Sequence, residues 1–231
     1  MCNEKAVVLL SGGLDSATTA AIAISKNYDV HALTFNYGQR HHVELKSAKV
    51  IAECLKIKSH RFIDIPVELF DSALITSSKI QIPKNTEKDR ENVSEDFVPV
   101  TYVPARNLLF LSFALAYAES IDAGKIYIGA NSLDYSGYPD CRPEFFSSFQ
   151  KTANLGTKKG LISPITVEVP LQNMTKSEII KLGLSLGVDY SLTHSCYDPN
   201  EQGLSCGECE SCTLRKKGFY EAQVPDPTRY F

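Results

Sequence analysis

LSGGLDSATT, residues 10–19, follows an apolar run at residues 6–10 and leads into small and apolar residues at 17–25. The apolar run predicts a buried parallel strand, and the later segment, which contains no Gly or Pro, predicts a helix. Ser11, Gly12 and Gly13 then form a turn at a helix N-terminus, where free N–H groups and the helix dipole favour an anion. We expect the two glycines to permit positive φ and a close approach to a ligand, while Ser11 and Ser16 add hydroxyl donors. The stretch therefore predicts a phosphate-binding loop.

Two widespread phosphate-binding patterns do not fit this loop. A Walker A loop requires G-x-x-x-x-G-K-[ST], and no Lys follows here; the loop is not G-x-G-x-x-G either. The pattern S-G-G-x-D-S after a first strand resembles the PP-loop of the ATP pyrophosphatases, which grip the β,γ-diphosphate of ATP and release it whole. The alternative is a Gly-containing strand–helix turn that binds nothing.

Length and composition limit the class of protein. The 231 residues suffice for one α/β domain with a small appendage, and a hydrophobic fraction of 43% supports a core. The net charge of −3 argues against a large electrostatic surface for nucleic acid. Because there is no apolar run of about 18 residues and no signal-peptide pattern, we expect a cytoplasmic protein that binds neither nucleic acid nor membranes.

Strand and helix patterns alternate along the rest of the chain. Strands are predicted at residues 29–35, 60–65, 125–130 and 164–169, and helices at 43–55, 108–121, 144–153, 175–186 and 214–222. The helix at 108–121 is apolar nearly all round and is expected to be buried. The alternation predicts an α/β fold with a doubly wound parallel sheet, right-handed crossovers and a ligand site beyond the carboxyl ends of the strands. The charged stretch at 84–96 predicts a mobile surface loop, either a solvated insertion or a lid.

Charged residues fall close to that edge of the sheet. Arg106 and Lys176 lie at the starts of helices, where a cation opposes the helix dipole. We therefore expect an anionic partner for Arg106, and for Lys176 either an anion or solvent. Thr175 and Glu178 predict a capping box for the helix of Lys176. The polar loop at residues 131–146 brings further side chains to the same edge, namely Asp134, Tyr135, Tyr138, Asp140 and Arg142.

Four of the seven cysteines lie within 17 residues: Cys196, Cys206, Cys209 and Cys212. Their spacing, C-x9-C-x2-C-x2-C, suits a closed tetrahedral zinc site, and such a site is normally structural. An iron–sulfur cluster is the alternative, because C-x2-C-x2-C also opens a ferredoxin-type run. His194 is expected to be a neighbouring or surface residue and not a fifth ligand. The other three, Cys2, Cys54 and Cys141, are interpreted as ordinary free thiols, although Cys141 lies in the polar loop and could contact a ligand.

Several motifs together carry a family resemblance. LSGGLDS, NYGQRHH, VPARN, GANSLDYSGYPDCRPEF, MTKSEI and SCY…CGECESC resemble, in order and over essentially the whole chain, the bacterial 7-cyano-7-deazaguanine (preQ0) synthases, the QueC/ExsB family of PP-loop ATP pyrophosphatases. The resemblance implies an adenine nucleotide alpha hydrolase-like, Rossmann-like domain at residues 1–190, a zinc-binding segment at 191–231 packed on it, and a homodimer.

The implied reaction is a ligation in queuosine biosynthesis. ATP would adenylate the carboxylate of 7-carboxy-7-deazaguanine, ammonia would displace AMP to give an amide, and a second activation would allow loss of AMP to give the nitrile. Departure of diphosphate builds negative charge that the loop, Mg²⁺ and nearby cations can stabilise.

The resemblance also implies roles for individual residues. Catalytic roles fall to Ser11, Asp15, Ser16, Arg106 and Lys176, with Asp15 a candidate ligand for Mg²⁺. ATP would contact Leu10, Ser11, Gly12, Gly13, Leu14, Asp15, Ser16, Ala17, Thr18, Thr19, Ala20, Thr34 and Phe35, with the adenine near residues 33–35. The deazaguanine and its activated carboxyl would contact Arg106, Asp134, Tyr135, Asp140 and Arg142. Zinc would bind Cys196, Cys206, Cys209 and Cys212 and brace the C-terminal segment.

Two other functions stay open on the sequence. One is a PP-loop enzyme that thiolates tRNA, which would need a basic RNA surface and a catalytic cysteine or cluster. The other is a zinc-containing interaction module joined to a nucleotide sensor, which would bind ATP without turning it over.

Overall fold

The chain folds around one parallel sheet. The computed structural model describes residues 3–39, 43–76, 78–84, 98–133 and 137–231. Within them, five strands run in parallel, β1 (Lys5–Leu9), β2 (Asp29–Asn36), β3 (Ser59–Asp64), β4 (Lys125–Tyr127) and β5 (Thr166–Glu168), in the order β3-β2-β1-β4-β5. The doubly wound α/β fold predicted from the alternating pattern is confirmed.

Helices connect the strands and cover both faces. They are α1 (Leu14–Ser25), α2 (Val43–Cys54), α3 (Arg106–Ser120), α4 (Pro143–Gly156), α5 (Lys158–Ile162), α6 (Lys176–Ser185) and α7 (Glu210–Ala222), with 3₁₀ turns at Val67–Leu69, Pro139–Cys141 and Tyr190–Leu192. The predicted capping box of α6 is present, with Thr175 and Glu178 bonded reciprocally. The short helix α5 was not predicted from the sequence.

The central strand β1 feeds two cores. Val7 and Leu9 face one core, which also contains Leu33, Phe35 and Leu111. Ala6, Val8 and Leu10 face the other, which is built against α1, α2, α6 and α7. Because successive side chains of a strand point to opposite faces, burial on both faces requires the continuous apolar run seen in the sequence.

The order in which the strands are added to the sheet changes direction at β1, because β2 lies on one side of β1 and β4 lies on the other. Val7 pairs with His31 of β2 and with Ile126 of β4. In doubly wound sheets this reversal separates the connecting loops at the carboxyl ends and leaves a crevice there. The phosphate-loop candidate follows β1 directly and so lies at that crevice.

Two sequence predictions need correction. Helix α3 is not buried all round: Leu111, Ala114 and Ala118 form its buried stripe, whereas Leu108 and Phe113 are 44% and 41% exposed. A helix that lies on one face of a sheet buries one side only, whatever the composition of the other. Strand β4 ends at Tyr127 instead of residue 130, because residues 128–130 leave the ladder and line the crevice. Residues 85–96 of the charged stretch lie outside the described part of the chain.

The C-terminal segment packs against α6 and shares the cores of the sheet. Gly218 of α7 lies against the aliphatic stem of Lys176, where a Cβ would come within 2.4 Å of Cγ. Arg215, 2% exposed, donates to Tyr190 O at 3.0 Å and pairs with Asp226 at 3.0 Å. No helix in the described ranges is long and apolar enough to span a membrane.

Candidate active site and cysteine cluster

A cavity of about 240 Å³ opens at the carboxyl ends of β1, β2 and β4. Its walls come from the loop after β1, the end of β2, the starts of α2 and α3, Leu74, the segment after β4, the segment before α7 and the start of α7. Polar groups at its surface include Ser11, Asp15, Ser16, Tyr37, Gln39, Glu44, Arg106, Asn107, Asn131, Tyr138, Ser195, Tyr197 and Ser211. Apolar walls come from Leu33, Phe35 and Phe110.

The loop after β1 is held in a fixed shape by its own serines. The Ser16 hydroxyl donates to Gly13 O at 3.0 Å and accepts from Ser11 N at 3.2 Å and from Ser11 Oγ at 3.1 Å. Helix α1 begins at Leu14 with Gly13 as its N-cap, and no side chain caps it. Backbone N–H groups of its first turn therefore remain available to an anion in the cavity.

The two glycines of the loop have roles different from those expected. Gly12 has φ +91°, and a Cβ there would lie 2.3 Å from Glu44 O and 2.8 Å from Ala48 N. Its missing side chain therefore permits close packing of the loop on α2. Gly13, in contrast, has an extended φ of −82° and lines the cavity. The glycine that needs positive φ and the glycine that faces the ligand space are thus different residues.

A buried ion pair lies at the edge of the loop. Lys176 Nζ is 2.9 Å from both carboxylate oxygens of Asp15, and the two side chains are 9% and 21% exposed. The anion predicted for Lys176 is therefore Asp15, and the solvated alternative is wrong. Because Asp15 also lines the cavity, the pair places an ammonium close to any anion held by the loop.

Arg106 carries a positive charge into the cavity from the first turn of α3. Its guanidinium donates to Tyr37 Oη at 3.2 Å and lies 5.8 Å from the centre of that ring. Among the described residues no carboxylate lies within ion-pair distance of it. The expected anionic partner is therefore not supplied by this part of the protein, and Arg106 remains available to an anionic ligand.

Asp140 holds the start of α3 and does not line the cavity. Its Oδ2 accepts from Asn107 N at 2.9 Å, and the residue is 7% exposed. Burial raises the pKa of Asp140, although the Asn107 N–H and the charge of Arg106 oppose the rise. Asp140 thus fixes the backbone next to Arg106.

Glu44 is a cavity residue that sequence reasoning missed. It lies in the first turn of α2 and faces the cavity. Burial raises its pKa to about 7, against the opposing charge of Arg106. The sequence signal for Glu44 as a site residue is its place as an acidic residue at the start of the helix that follows β2. Ser195, Tyr197 and Ser211 also line the cavity, and the cysteine spacing around them gives no signal for such a role.

Several predicted site residues do not reach the cavity. Ala17, Thr18, Thr19 and Ala20 are buried in α1, where the Thr18 hydroxyl contacts Leu14 O and Tyr190 Oη. Because strand side chains alternate, Leu33 and Phe35 line the cavity while Thr34 faces away and bonds Leu10 O and His60 Nε2.

The polar loop after β4 contributes less than its composition indicated. Arg142 is exposed at the start of α4 and is not part of the cavity wall. Asp134 and Tyr135 lie outside the described residues. Among the described residues of this loop, Asn131, Tyr138 and Cys141 line the cavity.

The four clustered cysteines converge on one point. Cys196, Cys206, Cys209 and Cys212 are buried, and their sulfurs all lie within 4.8 Å of one another. Four sulfurs around zinc at about 2.3 Å would be about 3.8 Å apart, so the cluster fits that ion. Backbone N–H groups point at the sulfurs: Cys206 N donates to Cys196 Sγ at 3.1 Å, and Cys209 N donates to Cys206 Sγ at 3.3 Å. Such donors stabilise thiolate ligands.

The cluster is joined directly to the cavity. Cys196 lies between Ser195 and Tyr197, and all three line the cavity. Two residues earlier, His194 N donates to Gly12 O at 2.9 Å. His194 is buried, lines the cavity and is not part of the cysteine cluster. The segment held by the cysteines therefore forms one wall of the cavity and also contacts the phosphate loop.

Comparison with known proteins gives a consistent set of relatives. A sequence model of the family described as "Queuosine biosynthesis protein QueC" matches residues 5–223. The "7-cyano-7-deazaguanine synthase" of Magnetococcus marinus is 55% identical over 97% of this chain and 96% of its own length. The protein of the same name from Desulfatibacillum aliphaticivorans is 53% identical over 98% of this chain and 97% of its own length.

Solved structures share the fold at low sequence identity. NMN synthetase from Francisella tularensis superposes with a TM-score of 0.50 and 18% identity, over 96% of this chain and 79% of its own. A 4-thiouridine synthetase in complex with RNA and ATP gives a TM-score of 0.53 and 18% identity, over 98% of this chain and 47% of its own. These similarities establish the α/β architecture.

Proposed function

The chain belongs to the QueC family of queuosine biosynthesis proteins, and on this basis we propose that it is an ATP-dependent ligase that makes 7-cyano-7-deazaguanine from 7-carboxy-7-deazaguanine and ammonia. The similarity to named synthases extends over nearly the whole chain. ATP is the activating substrate.

The observation that carries this proposal is the arrangement of charges around the cavity. A helix N-terminus and the loop of Ser11 to Ser16 form an anion site on one side. On another side Arg106 supplies a cation that has no carboxylate partner among the described residues. Lys176 lies next to the loop through Asp15. Such a site suits a nucleotide triphosphate whose diphosphate leaves while a carboxylate attacks its α-phosphorus.

The chemistry requires two activations. A carboxylate oxygen is a poor leaving group, and transfer of AMP to it creates a good one. Ammonia then attacks the acyl carbon, AMP departs and an amide forms. Adenylation of the amide oxygen, followed by loss of AMP and of the nitrogen-bound protons, gives the nitrile. Each cycle places new negative charge on a departing diphosphate, and the protein stabilises it through fixed donors.

We assign the residues to these roles by their positions. The loop residues Ser11, Gly13 and Ser16 and the start of α1 bind the diphosphate. The Lys176 ammonium places a positive charge beside that site, and the Asp15 carboxylate orients this ammonium. Arg106 binds the substrate carboxylate or the phosphate that activates it. Magnesium would bind with the diphosphate, and Asp15 is the candidate carboxylate ligand.

Zinc is the proposed metal of the cysteine cluster. With four thiolate ligands no coordination position remains for a water molecule, so its role is structural. It would hold the segment of Ser195 and Tyr197 as a wall of the cavity. We further propose a cytoplasmic homodimer.

Pyrophosphate exchange tests the proposal. Labelled diphosphate should enter ATP only when 7-carboxy-7-deazaguanine is present, because exchange requires reversible adenylation of that carboxylate. Exchange that depends on tRNA instead would identify a thiolation enzyme. ATP binding without exchange under any acceptor would identify a nucleotide-binding module and contradict the proposed ligase.

A further inference from the structure

Glu44 is the cavity carboxyl group to which the proposed chemistry gives no role. It lies on the β2 side of the phosphate loop, beyond the carboxyl end of that strand. Residues Asn131 and Tyr138, which follow β4, line the opposite side of the cavity. The cavity therefore extends from the phosphate loop toward β2 on one side and toward β4 on the other. Glu44 lines the β2 side, together with Leu33 and Phe35.

The backbone of Glu44 is fixed against the phosphate loop. Gly12 approaches so closely that a Cβ on it would lie 2.3 Å from Glu44 O. The Glu44 side chain therefore starts from a point in contact with the loop that holds phosphate in the proposed function. Glu44 and the loop residues Ser11, Gly13 and Ser16 line the same cavity.

The Glu44 carboxylate has no partner in the described protein. It makes no hydrogen bond or ion pair with any residue of the described ranges, and Arg106 is the charged group that acts on it electrostatically. Glu44 is half-buried, and carboxylates withdrawn from water are normally paired or hydrogen-bonded. The charge of Arg106 and the burial of Glu44 oppose each other in setting its pKa at about 7, so donors from a ligand would favour the ionised form.

The ligand group that suits this position is a pair of hydroxyls. A carboxylate accepts hydrogen bonds and donates none when ionised. In a nucleotide whose phosphates occupy the loop, the ribose comes next along the molecule and offers its 2′- and 3′-hydroxyls as donors. The apolar surfaces of Leu33 and Phe35, which lie in β2 and line the same side of the cavity, suit the adenine ring.

We propose that the Glu44 carboxylate binds the ribose hydroxyls of ATP. This inference rests on the proposed ATP site, and it divides the cavity into a nucleoside side at β2 and an acceptor side at β4. Glu44 would then fix the position of the α-phosphorus by holding both ends of the nucleotide, the ribose at α2 and the diphosphate at the loop.

Nucleotide binding by calorimetry tests the assignment without turnover. ATP, 2′-deoxy-ATP and 3′-deoxy-ATP, each with Mg²⁺, are titrated into the native protein, Glu44→Ala and Glu44→Gln. Because hydrogen bonds to a charged group are among the stronger ones, removal of a bonded hydroxyl should weaken binding to the native protein roughly 10- to 100-fold. Glu44→Ala should bind all three nucleotides within about threefold of one another.

Glu53→Gln, on the exposed face of the same helix, is the matched control and should discriminate as the native protein does. The proposal is overturned if native protein binds the three nucleotides equally, or if Glu44→Ala keeps the discrimination. It is also overturned if Glu44→Ala leaves ATP binding unchanged and raises only the KM for the deazaguanine. Failure of the native protein to form AMP with the deazaguanine would contradict the proposed function and is measured separately.

Discussion

Replacement of Lys176 by Met tests the ion pair at the phosphate loop. Lys176 is 8% exposed, its Nζ bonds both oxygens of Asp15 at 2.9 Å, and its stem packs against Gly218. Met keeps an unbranched stem of similar length, so the packing of α6 against α7 is retained. The substitution therefore removes mainly the charge and leaves the Asp15 carboxylate without its partner.

The expected loss of stability follows from that geometry. Breaking a fully buried ion pair by removing one partner costs about 3–5 kcal/mol, but Asp15 is 21% exposed and can recover water. We therefore expect a loss of about 2 kcal/mol. For a chain of this length the loss corresponds to a fall in Tm of roughly 4–8 °C, measured by circular dichroism.

The kcat/KM of Lys176→Met should fall by more than its loss of stability explains. Removal of a cation that stabilises the departing diphosphate is expected to lower kcat/KM by roughly 100-fold or more at a temperature where the variant is fully folded. The assay is release of diphosphate with saturating 7-carboxy-7-deazaguanine. Lys181→Met, at an exposed position of the same helix, is the control and should change Tm and kcat/KM little.

A double-variant cycle separates pairing from catalysis. If the ion pair accounts for the stability loss, Asp15→Asn combined with Lys176→Met should destabilise the protein by clearly less than the sum of the two single changes. If Lys176→Met retained native kcat/KM, Lys176 would be only a structural partner of Asp15, and its role in stabilising the departing diphosphate would be contradicted.

Three further predictions follow from the same structure. Ser16→Ala removes the hydroxyl that bonds Gly13 O and accepts from Ser11 N, so ATP turnover should fall by roughly 100-fold or more with Tm changed by only a few degrees; unchanged diphosphate release would contradict this. Chelation of the metal should lower Tm and also weaken ATP binding in a titration, because the cysteine segment contacts the loop through His194 N and Gly12 O; native ATP affinity in the metal-free protein would disprove the link. Burial alone would raise the pKa of Asp226, but a hydrogen bond from Tyr230 and the charge of Arg215 lower it. The Asp226 carboxylate therefore stabilises the fold at pH values above the pKa of an unfolded Asp. That stabilisation is lost as the pH falls through the lower pKa of Asp226 in the folded protein. Tyr230→Phe should therefore destabilise the protein by urea unfolding at pH 7, and the difference from native protein should shrink below about pH 4; a difference that is constant with pH would contradict the assignment.

The sequence was most informative where one residue pattern allowed one structure. The continuous apolar run at β1 requires a strand buried on both faces, and the Gly-Ser loop after it could only lie at the carboxyl edge of the sheet. The spacing of the four cysteines likewise predicted a cluster whose sulfurs do meet. The capping box at Thr175 is a local signal and is present as predicted.

Contacts between distant segments could not be derived in the same way. Gly12 was interpreted from its neighbours in sequence, whereas the atom that excludes a Cβ is Glu44 O, on another helix. The partner of Lys176 is Asp15, 161 residues away. Thr34 and Phe35 are adjacent in sequence, yet the strand sends only Phe35 to the cavity.

The wall built by Ser195 and Tyr197 was also beyond the reach of sequence patterns. These residues flank Cys196, and a metal-ligand motif says nothing about which way its neighbours face. The structure brings them to the loop after β1 because α7 packs on α6 and because His194 N bonds Gly12 O. Tertiary packing, not local propensity, decides such a position.

We propose that this cavity converts a deazaguanine carboxylate to a nitrile at the expense of ATP, and the products of one incubation test this. The direct measurement is incubation of the metal-loaded protein with Mg-ATP, ammonium and 7-carboxy-7-deazaguanine, with all products quantified by mass spectrometry. We expect the nitrile together with two AMP and two diphosphate for each nitrile molecule formed, and the amide as an intermediate. Folded, metal-loaded protein that forms no AMP, or that forms ADP and phosphate instead, would contradict it.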